Sequence, residues 1–307
     1  MKPHRAKEAS HGGECKVMTR NLFCFGLGYS ALALARRLAR EGWRVTGTAR
    51  TPDKVDELSR EGFAGIVFDG SAWSDALDAA LANADAVLLS APPDEHGDPV
   101  LRGGADKLRA LASRWRWLGY LSSTGVYGDK QGGWVDETTP PEPSNPRSAK
   151  RLAAEIAWTN FANETGAPLH IFRIAGIYGP GRSALDGLRA GTARRFDKPG
   201  QIFSRIHVDD LAAVLTASIA HPSPGAVYNV CDDEPASQAD VIAYGAKLLG
   251  MTPPPLEAFA AAEPTLSAMA KSFYRDSKRV RNDRMKRELG VTLAYPTYRE
   301  GLRALMK

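Results

Sequence analysis

One short segment constrains the fold of this chain more than any other. A largely apolar run, Asn21 to Phe25, leads directly into Gly26-Leu-Gly28-Tyr29-Ser30-Ala31 and then into a helical pattern. A strand, a Gly-x-Gly-x-x-Ala loop and a helix in this order are typical of a dinucleotide-binding α/β domain. Gly26 would permit the tight turn, Gly28 the close approach of a pyrophosphate and Ala31 the packing of helix on sheet, while the helix N-terminus at Tyr29 and Ser30 faces the anion. An ordinary glycine turn is the alternative, which the flanking strand and helix disfavour.

The rest of the chain alternates short apolar runs with helical stretches, which predicts a parallel sheet with helices on both faces. The helix after the glycine loop should span 31–40, with Leu32, Ala35, Leu38 and Ala39 on its buried side and Gly42 closing it. Further helices are expected at 147–164 and 237–249, and a strand-helix-strand unit at 205–230. Strands are predicted at 21–26, 43–48, 64–68, 85–90, 117–122 and 168–173.

The second strand indicates which dinucleotide would bind. It ends in Arg50-Thr51 and has no acidic residue before Asp53, with Lys54 close behind. An acid at this point would bind a ribose 2′-hydroxyl, whereas an arginine accommodates a 2′-phosphate. We therefore predict NADP(H) over NAD(H), with Arg50 at the 2′-phosphate. The alternative is that Arg50 is a solvated loop residue and Asp53 a helix cap.

Charge and composition exclude several other classes of protein. The formal net charge of +5 is confined to residues 1–20 (+3) and 271–307 (+7), whereas 21–270 carry −5, which is a poor footprint for nucleic acid. No apolar run is long enough for a membrane span, and no secretion signal is evident. Three scattered cysteines, Cys15, Cys24 and Cys231, argue against a disulfide scaffold or a zinc site and favour a cytoplasmic location. Residues 1–20 are expected to be a disordered basic tail, or to precede a true start at Met18.

Several later motifs, in their order and spacing, resemble the extended short-chain dehydrogenase/reductases, and more narrowly the NAD-dependent epimerase/dehydratase group with its atypical members. The motifs are Asp69, Leu121-Ser-Ser-Thr-Gly-Val-Tyr-Gly128, Arg173-Ile-Ala-Gly-Ile-Tyr-Gly-Pro-Gly181, Arg205-Ile-His-Val-Asp-Asp-Leu211 and Tyr228-Asn-Val230. The resemblance runs from about Asn21 to Leu305. It implies a Rossmann domain over 21–180, to which 205–232 return, and a smaller substrate-binding lobe built from 181–204 and 233–307.

The resemblance also assigns roles to individual residues. It implies that Asp69 contacts the adenine and that Ser123 is the catalytic hydroxyl that orients and polarises a substrate carbonyl or alcohol. Lys150 would lie near the nicotinamide ribose; the alternative places it on the solvated face of its helix. The ribose and pyrophosphate would be lined by Ser90, Ala91 and Pro92.

One family residue is missing. The family's acid/base is a Tyr four residues before the Lys, and Pro146 stands there, which cannot transfer a proton. Tyr127 is a conceivable substitute, although aromatic packing is the role we expect for it. The pattern Tyr274 to Lys278 lies about 125 residues too late and is not expected to replace the pair.

Residues expected to meet a substrate follow the central strands. Thr124, Tyr127 and Arg182 are candidates, and arginines from Arg182 to Arg195 would suit a small anionic substrate such as a sugar nucleotide; a solvated basic helix is the alternative. His207 is expected to be structural, with Asp209 capping the following helix, and no metal site is predicted.

The sequence thus predicts an NAD(P)-dependent oxidoreductase or epimerase acting on a small carbonyl or alcohol substrate. The alternative is a non-catalytic NADP(H)-binding or redox-sensing protein, which the absence of the Tyr favours and the presence of Ser123 and Lys150 disfavours. The family hints at a homodimer formed through helices near 101–115 and 147–164.

Overall fold

The computed structural model describes residues 20–306, so the predicted tail at 1–20 lies almost entirely outside the described residues. Within this range the strands, numbered along the chain, are β1 Asn21–Phe25, β2 Arg44–Ala49, β3 Ala64–Val67, β4 Ala86–Leu89, β5 Trp117–Ser123, β6 Trp134–Val135, β7 Leu169–Ile174, β8 Gly176–Tyr178, β9 Arg195–Asp197, β10 Arg205–His207, β11 Val227–Val230, β12 Leu256–Ala258 and β13 Arg279–Val280. The helices are α1 Tyr29–Arg40, α2 Pro52–Arg60, α3 Asp75–Ala82, α4 Pro99–Leu111, α5 Pro146–Thr165, α6 Ala184–Arg189, α7 Val208–Ala220, α8 Gln238–Leu248, α9 Phe259–Ala262, α10 Ala268–Arg275, α11 Asp283–Leu289 and α12 Tyr298–Ala304.

Seven strands form the central sheet, in the order β11-β7-β5-β4-β1-β2-β3, and every neighbouring pair is parallel. The predicted doubly wound α/β fold is therefore confirmed, and each of the six predicted strands is present to within one residue at either end. The order reverses beside β1, between β4 and β2, so the carboxyl ends of these strands border the crevice where such folds bind their ligands.

The sheet is covered on both faces, which explains why its strands are apolar throughout rather than alternating. On β1, Leu22 and Cys24 pack in one buried cluster with α1 and α7, while Phe23 and Phe25 pack in the other with α3, α4 and α5. Two hydrophobic layers thus hold the strand ends in fixed positions relative to one another.

Helix α1 begins at Tyr29, two residues earlier than predicted, and its buried side is rotated slightly. The buried residues are Ala31, Leu34, Ala35 and Leu38, whereas Leu32 is only half-buried and Ala39 is exposed. After the helix, Gly42 adopts φ +83°, a left-handed conformation that closes the turn as expected.

A smaller lobe over the carboxyl edge of the sheet contains α6 packed on α8 and β9 paired with β12, whereas α7 and β11 belong to the central sheet and its cover. One part of the predicted lobe lies elsewhere. Met285 and Leu289 of α11, together with Leu293, are buried in the same cluster as α1 and α7, so this stretch packs on the central sheet. Its apolar residues at helical spacing face inwards and its charges face solvent.

No helix in the described part of the chain is long and apolar enough to cross a bilayer.

Candidate functional site

The glycine loop joins β1 to α1 and lies against the segment that follows β4. Gly26 has φ +85°, and a Cβ added there would lie 3.0 Å from the Ala91 backbone nitrogen. The Ala91 nitrogen in turn donates to the Phe25 carbonyl oxygen over 2.9 Å. A Cβ added at Gly28 would meet no atom within 4 Å, so the space beside it is open. The fold therefore brings the predicted Gly26, Gly28, Ser90 and Ala91 together around a cradle that a larger residue at position 28 would fill.

Within residues 20–306, no side chain caps the N-terminus of α1. Helices α4 and α5, by contrast, are capped by the Asp98 and Asn145 side chains. The first N–H groups of a helix have no partner inside the helix, so an uncapped N-terminus in a cleft is suited to an anion. Ala31 is fully buried against the sheet, which keeps this end of α1 close to the strand ends.

Tyr29 links the start of α1 to the segment after β8. Its hydroxyl donates to the Pro180 carbonyl oxygen over 3.1 Å, and the Arg182 guanidinium lies 5.7 Å from its ring centroid. The predicted Tyr29 and Arg182 are thus neighbours at the boundary between the glycine loop and the lobe.

The predicted adenosine-end residues lie on exposed loops. Arg50 directly follows β2, and the cap of α2 is Thr51, with Pro52 at the first helical position and Asp53 in the first turn. Asp69 follows β3, and its Oδ1 accepts hydrogen bonds from the Ser71 nitrogen at 2.9 Å and the Ser71 hydroxyl at 2.6 Å, which lowers its pKa. Pro92 is exposed beyond Ala91.

A cavity of about 1000 Å³ opens between the carboxyl ends of β5 and β7 and the lobe. Five of the predicted residues line it, namely Ser30, Ser90, Ser123, Thr124 and Arg182. Lys150 and Tyr127 are not among its lining residues. The glycine-loop end and the predicted catalytic hydroxyl therefore open on one continuous space.

Ser123 ends β5, where its Oγ accepts a hydrogen bond from the Gly125 nitrogen over 3.1 Å and caps a short 3-10 turn at Thr124–Tyr127. Among the described residues, no acceptor takes the proton of this hydroxyl. Its neighbour Ser122, which also lines the cavity, donates to the Glu155 carboxylate of α5.

Tyr127 is fully buried behind this turn. Its hydroxyl donates to Asn229 Oδ1 at 2.8 Å and accepts from Arg173 Nη1 at 3.1 Å. Burial raises the pKa of this phenol. The packing role expected for Tyr127 matches this position, which lies behind the cavity wall.

Lys150 lies on a half-buried side of α5, where its Nζ donates to Glu95 Oε1 over 2.6 Å. Pro146 occupies the first helical position, and the Asn145 side chain caps the helix by accepting from the Ser148 nitrogen at 3.0 Å. The α5 residues that line the cavity are Arg147, Ser148 and Arg151.

Tyr274, Asp276 and Lys278 also line the cavity, although their distance along the sequence argued against a place in the site. The Tyr274 ring packs on the rings of Phe196 and Phe203. Lys278 Nζ donates to the Gly128 carbonyl oxygen at 2.7 Å and lies 3.5 Å from Asp276, and burial lowers its pKa. The pattern itself was visible in the sequence, but only the folding of the lobe over β5 could place it here.

His207 is buried and has a structural role. Its Nδ1 accepts from the Asp209 nitrogen over 3.2 Å and caps α7, so the cap is His207 and not Asp209 as expected. Asp209 is exposed, and the buried Asp210 accepts from the Ala294 and Tyr295 nitrogens. Over residues 20–306, no group of three or more His, Cys, Asp or Glu side chains is placed to hold a metal ion.

Comparison with known proteins agrees with this geometry. The model of the NAD dependent epimerase/dehydratase family matches residues 26–231. The protein YeeZ of Escherichia coli K12 is 33% identical over 240 residues, which is 75% of this chain and 84% of YeeZ.

Two solved structures extend the comparison. A functionally unknown conserved protein from Silicibacter pomeroyi DSS is 51% identical and superposes with a TM-score of 0.87, over 94% of this chain and 98% of that chain. The UDP-glucuronic acid 4-epimerase of Bacillus cereus, solved in complex with NAD, is 18% identical with a TM-score of 0.72, over 92% and 96% of the two chains, and shows a shared fold.

Proposed function

The chain belongs to the NAD-dependent epimerase/dehydratase family, and we propose that it is an NADP(H)-preferring oxidoreductase or epimerase that acts on a small anionic carbonyl or alcohol substrate. The observation that carries the proposal is the single cavity that Ser30, Ser90 and Ser123 line together. A dinucleotide that begins at the glycine loop would reach the catalytic hydroxyl without leaving this cavity.

The residues present fit such a cofactor. The open space at Gly28 and the uncapped N-terminus of α1 would hold the pyrophosphate, and Ser90 and Ala91 would border the adjoining ribose. Arg50, at the end of β2, would hold the 2′-phosphate of NADP(H). When bound, the nicotinamide would supply or accept a hydride.

Ser123 would position the reacting oxygen of the substrate. Because its Oγ already accepts from the Gly125 nitrogen, the orientation of its O–H is constrained and the proton is available for donation into the cavity. A donor held in this way stabilises negative charge that develops on the substrate oxygen.

The charges around the cavity favour an anionic substrate. Arg182 lines the cavity and lies over the Tyr29 ring, and the structure shows no ion pair for it within residues 20–306. Arg194, in contrast, is paired with Glu257 at 2.7 Å and is already neutralised. The nucleotide sugar bound by structural neighbours, such as the UDP-glucuronic acid of the Bacillus cereus epimerase, is an example of a suitable anion.

A second function, a non-catalytic NADP(H)-binding or redox-sensing protein, is favoured by one observation. The α5 residues that line the cavity are Arg147, Ser148 and Arg151, and none of them is the Tyr that exchanges a proton in this family. Loss of a general acid/base typically costs about 10²–10⁴-fold in rate, which slows hydride transfer without abolishing it.

We further propose a cytoplasmic homodimer that uses α4 and α5. Ile156 on α5 is 54% exposed, an apolar contact available to a second copy. A monomer in analytical ultracentrifugation would contradict this assembly.

A single-turnover assay separates the enzyme from the non-catalytic alternative. Protein loaded with NADPH is mixed with a panel of carbonyl compounds, protein loaded with NADP⁺ is mixed with a panel of alcohols that includes nucleotide sugars, and NADPH fluorescence is followed. We expect at least one carbonyl compound to oxidise NADPH or one alcohol to reduce NADP⁺, at a rate about 10²-fold lower in Ser123→Ala. The control is Ser59→Ala. In the wild-type protein the exposed Ser59 hydroxyl donates to the Val55 carbonyl oxygen of α2, and the variant should react as wild type does. Tight NADPH binding without any turnover would favour the non-catalytic protein.

A further inference from the structure

The face that α5 turns towards the cavity carries two arginines one turn apart. Arg147, Ser148 and Arg151 line the cavity, and Lys150 does not. Residues i and i+4 of a helix share one face, whereas a neighbouring residue is rotated by about 100°. The pair of side chains that α5 presents at this spacing is therefore Arg147 and Arg151, one residue later than Pro146 and Lys150.

Contacts with β5 fix this orientation of the helix. A Cβ added at Gly125 would lie 2.7 Å from Ser148 Oγ and 3.3 Å from Ser123 Oγ, so the turn after β5 packs directly on this face of α5. Two turns further along the helix, the buried Glu155 accepts a hydrogen bond from Ser122 and pairs with Arg173 at 2.9 Å. These contacts place Arg151 at the end of β5, where it lines the same cavity as Ser123.

The Arg151 guanidinium can donate further hydrogen bonds. Its Nη1 donates to the Leu121 carbonyl oxygen at 2.9 Å and to the Tyr120 hydroxyl at 3.1 Å, and the group lies 5.6 Å from the Tyr120 ring centroid. The structure shows no partner for its Nε and Nη2 and no ion pair, within the residues it describes. The Asp98 carboxylate is nearby, but it accepts from the Trp158 ring and from two N–H groups of α4.

Arg147 faces the same space from the first turn of α5. Its guanidinium lies 5.9 Å from the ring of Phe273, a cavity-lining residue of α10, and the described part of the chain offers it no carboxylate partner. Two guanidinium groups without a carboxylate partner among the described residues thus lie on one face of α5. Both line the cavity that Ser123 lines.

A guanidinium stays protonated at any physiological pH, so neither arginine can exchange a proton as the family's Tyr does. Its planar fork matches a carboxylate or phosphate instead. We propose that Arg147 and Arg151 bind an anionic group of the substrate beside Ser123, and that Lys150 takes no part in this contact. The proposal deepens the proposed function, because it names the chemistry by which that same cavity recognises its substrate.

Binding of two probe anions, malonate and inorganic pyrophosphate, to the full-length protein tests this inference, with and without saturating NADPH. Arg151→Gln is the main variant because glutamine can still donate to the Leu121 carbonyl oxygen, and Lys150→Gln is its neighbour on the other face. Arg36→Gln, an exposed position on α1 that pairs with Glu61, is the matched surface control. Binding is measured by calorimetry, and thermal unfolding shows whether each variant is folded.

We expect at least one probe to bind wild type and to bind Arg151→Gln and Arg147→Gln at least about tenfold more weakly. Lys150→Gln and Arg36→Gln should keep wild-type affinity for the probe, and Arg151→Gln should bind NADPH as wild type does. Loss of probe binding in Lys150→Gln alone would overturn the assignment. Loss of NADPH binding in Arg151→Gln with unchanged probe binding would assign the arginine to the cofactor.

A wild-type protein that binds neither probe would also overturn the inference. Failure of the proposed function has a different signature, since a protein that binds no NADPH can still bind the probe anions through the arginine pair.

Discussion

We propose that Arg50 determines which dinucleotide binds. It follows β2 directly and is exposed, so it can meet a ligand that lies across the strand ends. Arg50→Ala should weaken NADPH binding by about 10- to 100-fold, because a charge-assisted contact with the 2′-phosphate is lost, and should leave NADH binding unchanged.

Fluorescence titration with both dinucleotides measures this effect. Arg60→Ala, at the far end of α2, is the matched control and should change neither affinity. Equal affinities for NADPH and NADH in wild type, unaltered in Arg50→Ala, would contradict the predicted preference.

The sequence predicts the positions of some individual residues well and those of others poorly. Gly26, Gly28 and Ser123 lie within three residues of a strand end, so local spacing is enough to predict their positions. The choice between Lys150 and Arg151 depends on the rotation of α5, which is set by distant contacts with Gly125 and Ser122. If the family's motif is aligned one residue further along α5, the residue that faces the cavity is Arg151 instead of Lys150.

A buried ion pair behind the cavity joins helix α5 to strand β7. Glu155 of α5 binds Arg173 of β7 at 2.9 Å, and their side chains are only 5% and 8% exposed. Ser122 of β5 donates to the same carboxylate, and Arg173 also donates to Tyr127. The pair thus joins α5, β5 and β7 at the edge that carries Ser123.

Glu155→Ala should lower the free energy of unfolding by about 3–5 kcal/mol, because it leaves the Arg173 charge buried without its partner. Glu61→Ala removes an exposed carboxylate that pairs with Arg36 and should cost at most about 1 kcal/mol. Urea denaturation compares the two variants. Equal losses would mean that the buried pair does not hold these elements together.

The predictability of elements follows from how they are buried. Strands covered on both faces are continuous apolar runs, and six of them could be located to within one residue. The prediction that Asp209 caps α7 was wrong, because His207 Nδ1 accepts a hydrogen bond from the Asp209 nitrogen and forms the cap instead.

The free energy of unfolding of the whole molecule should depend on pH through Asp232. Burial raises the pKa of this carboxyl from 3.8 to about 8, with the nearby Arg205 acting in the opposite direction and Asp233 and Glu234 adding to the rise. The folded protein then keeps a proton that the unfolded chain releases above about pH 4. Stability from this group is complete below pH 4 and is lost as the pH rises towards 8.

Asp232→Asn should remove this dependence. Between pH 4 and 8 the free energy of unfolding of wild type should fall relative to the variant by up to about 1.4 kcal/mol per pH unit. The comparison cancels the opposite contribution of His170, whose pKa burial lowers to about 4. Parallel stability profiles from urea denaturation would show that Asp232 is ionised in the folded protein.

Whole-molecule organisation was only partly accessible from the sequence. Family membership follows from ordered motifs, but the return of 283–293 to the sheet depends on where Met285 and Leu289 find apolar partners. The basic C-terminal segment likewise contributes Lys278 to the cavity wall, a contact that no local pattern indicates.

Calorimetric titration of the wild-type protein with NADPH, beside Gly28→Val, tests whether the glycine loop binds the dinucleotide. Gly28 has φ −96° and open space around a new Cβ, so valine should be accepted by the fold while it fills the place of the pyrophosphate. We expect one NADPH site per chain in wild type and none in the folded variant. No heat with NADPH or NADH in wild type, or equal binding by Gly28→Val, would contradict it.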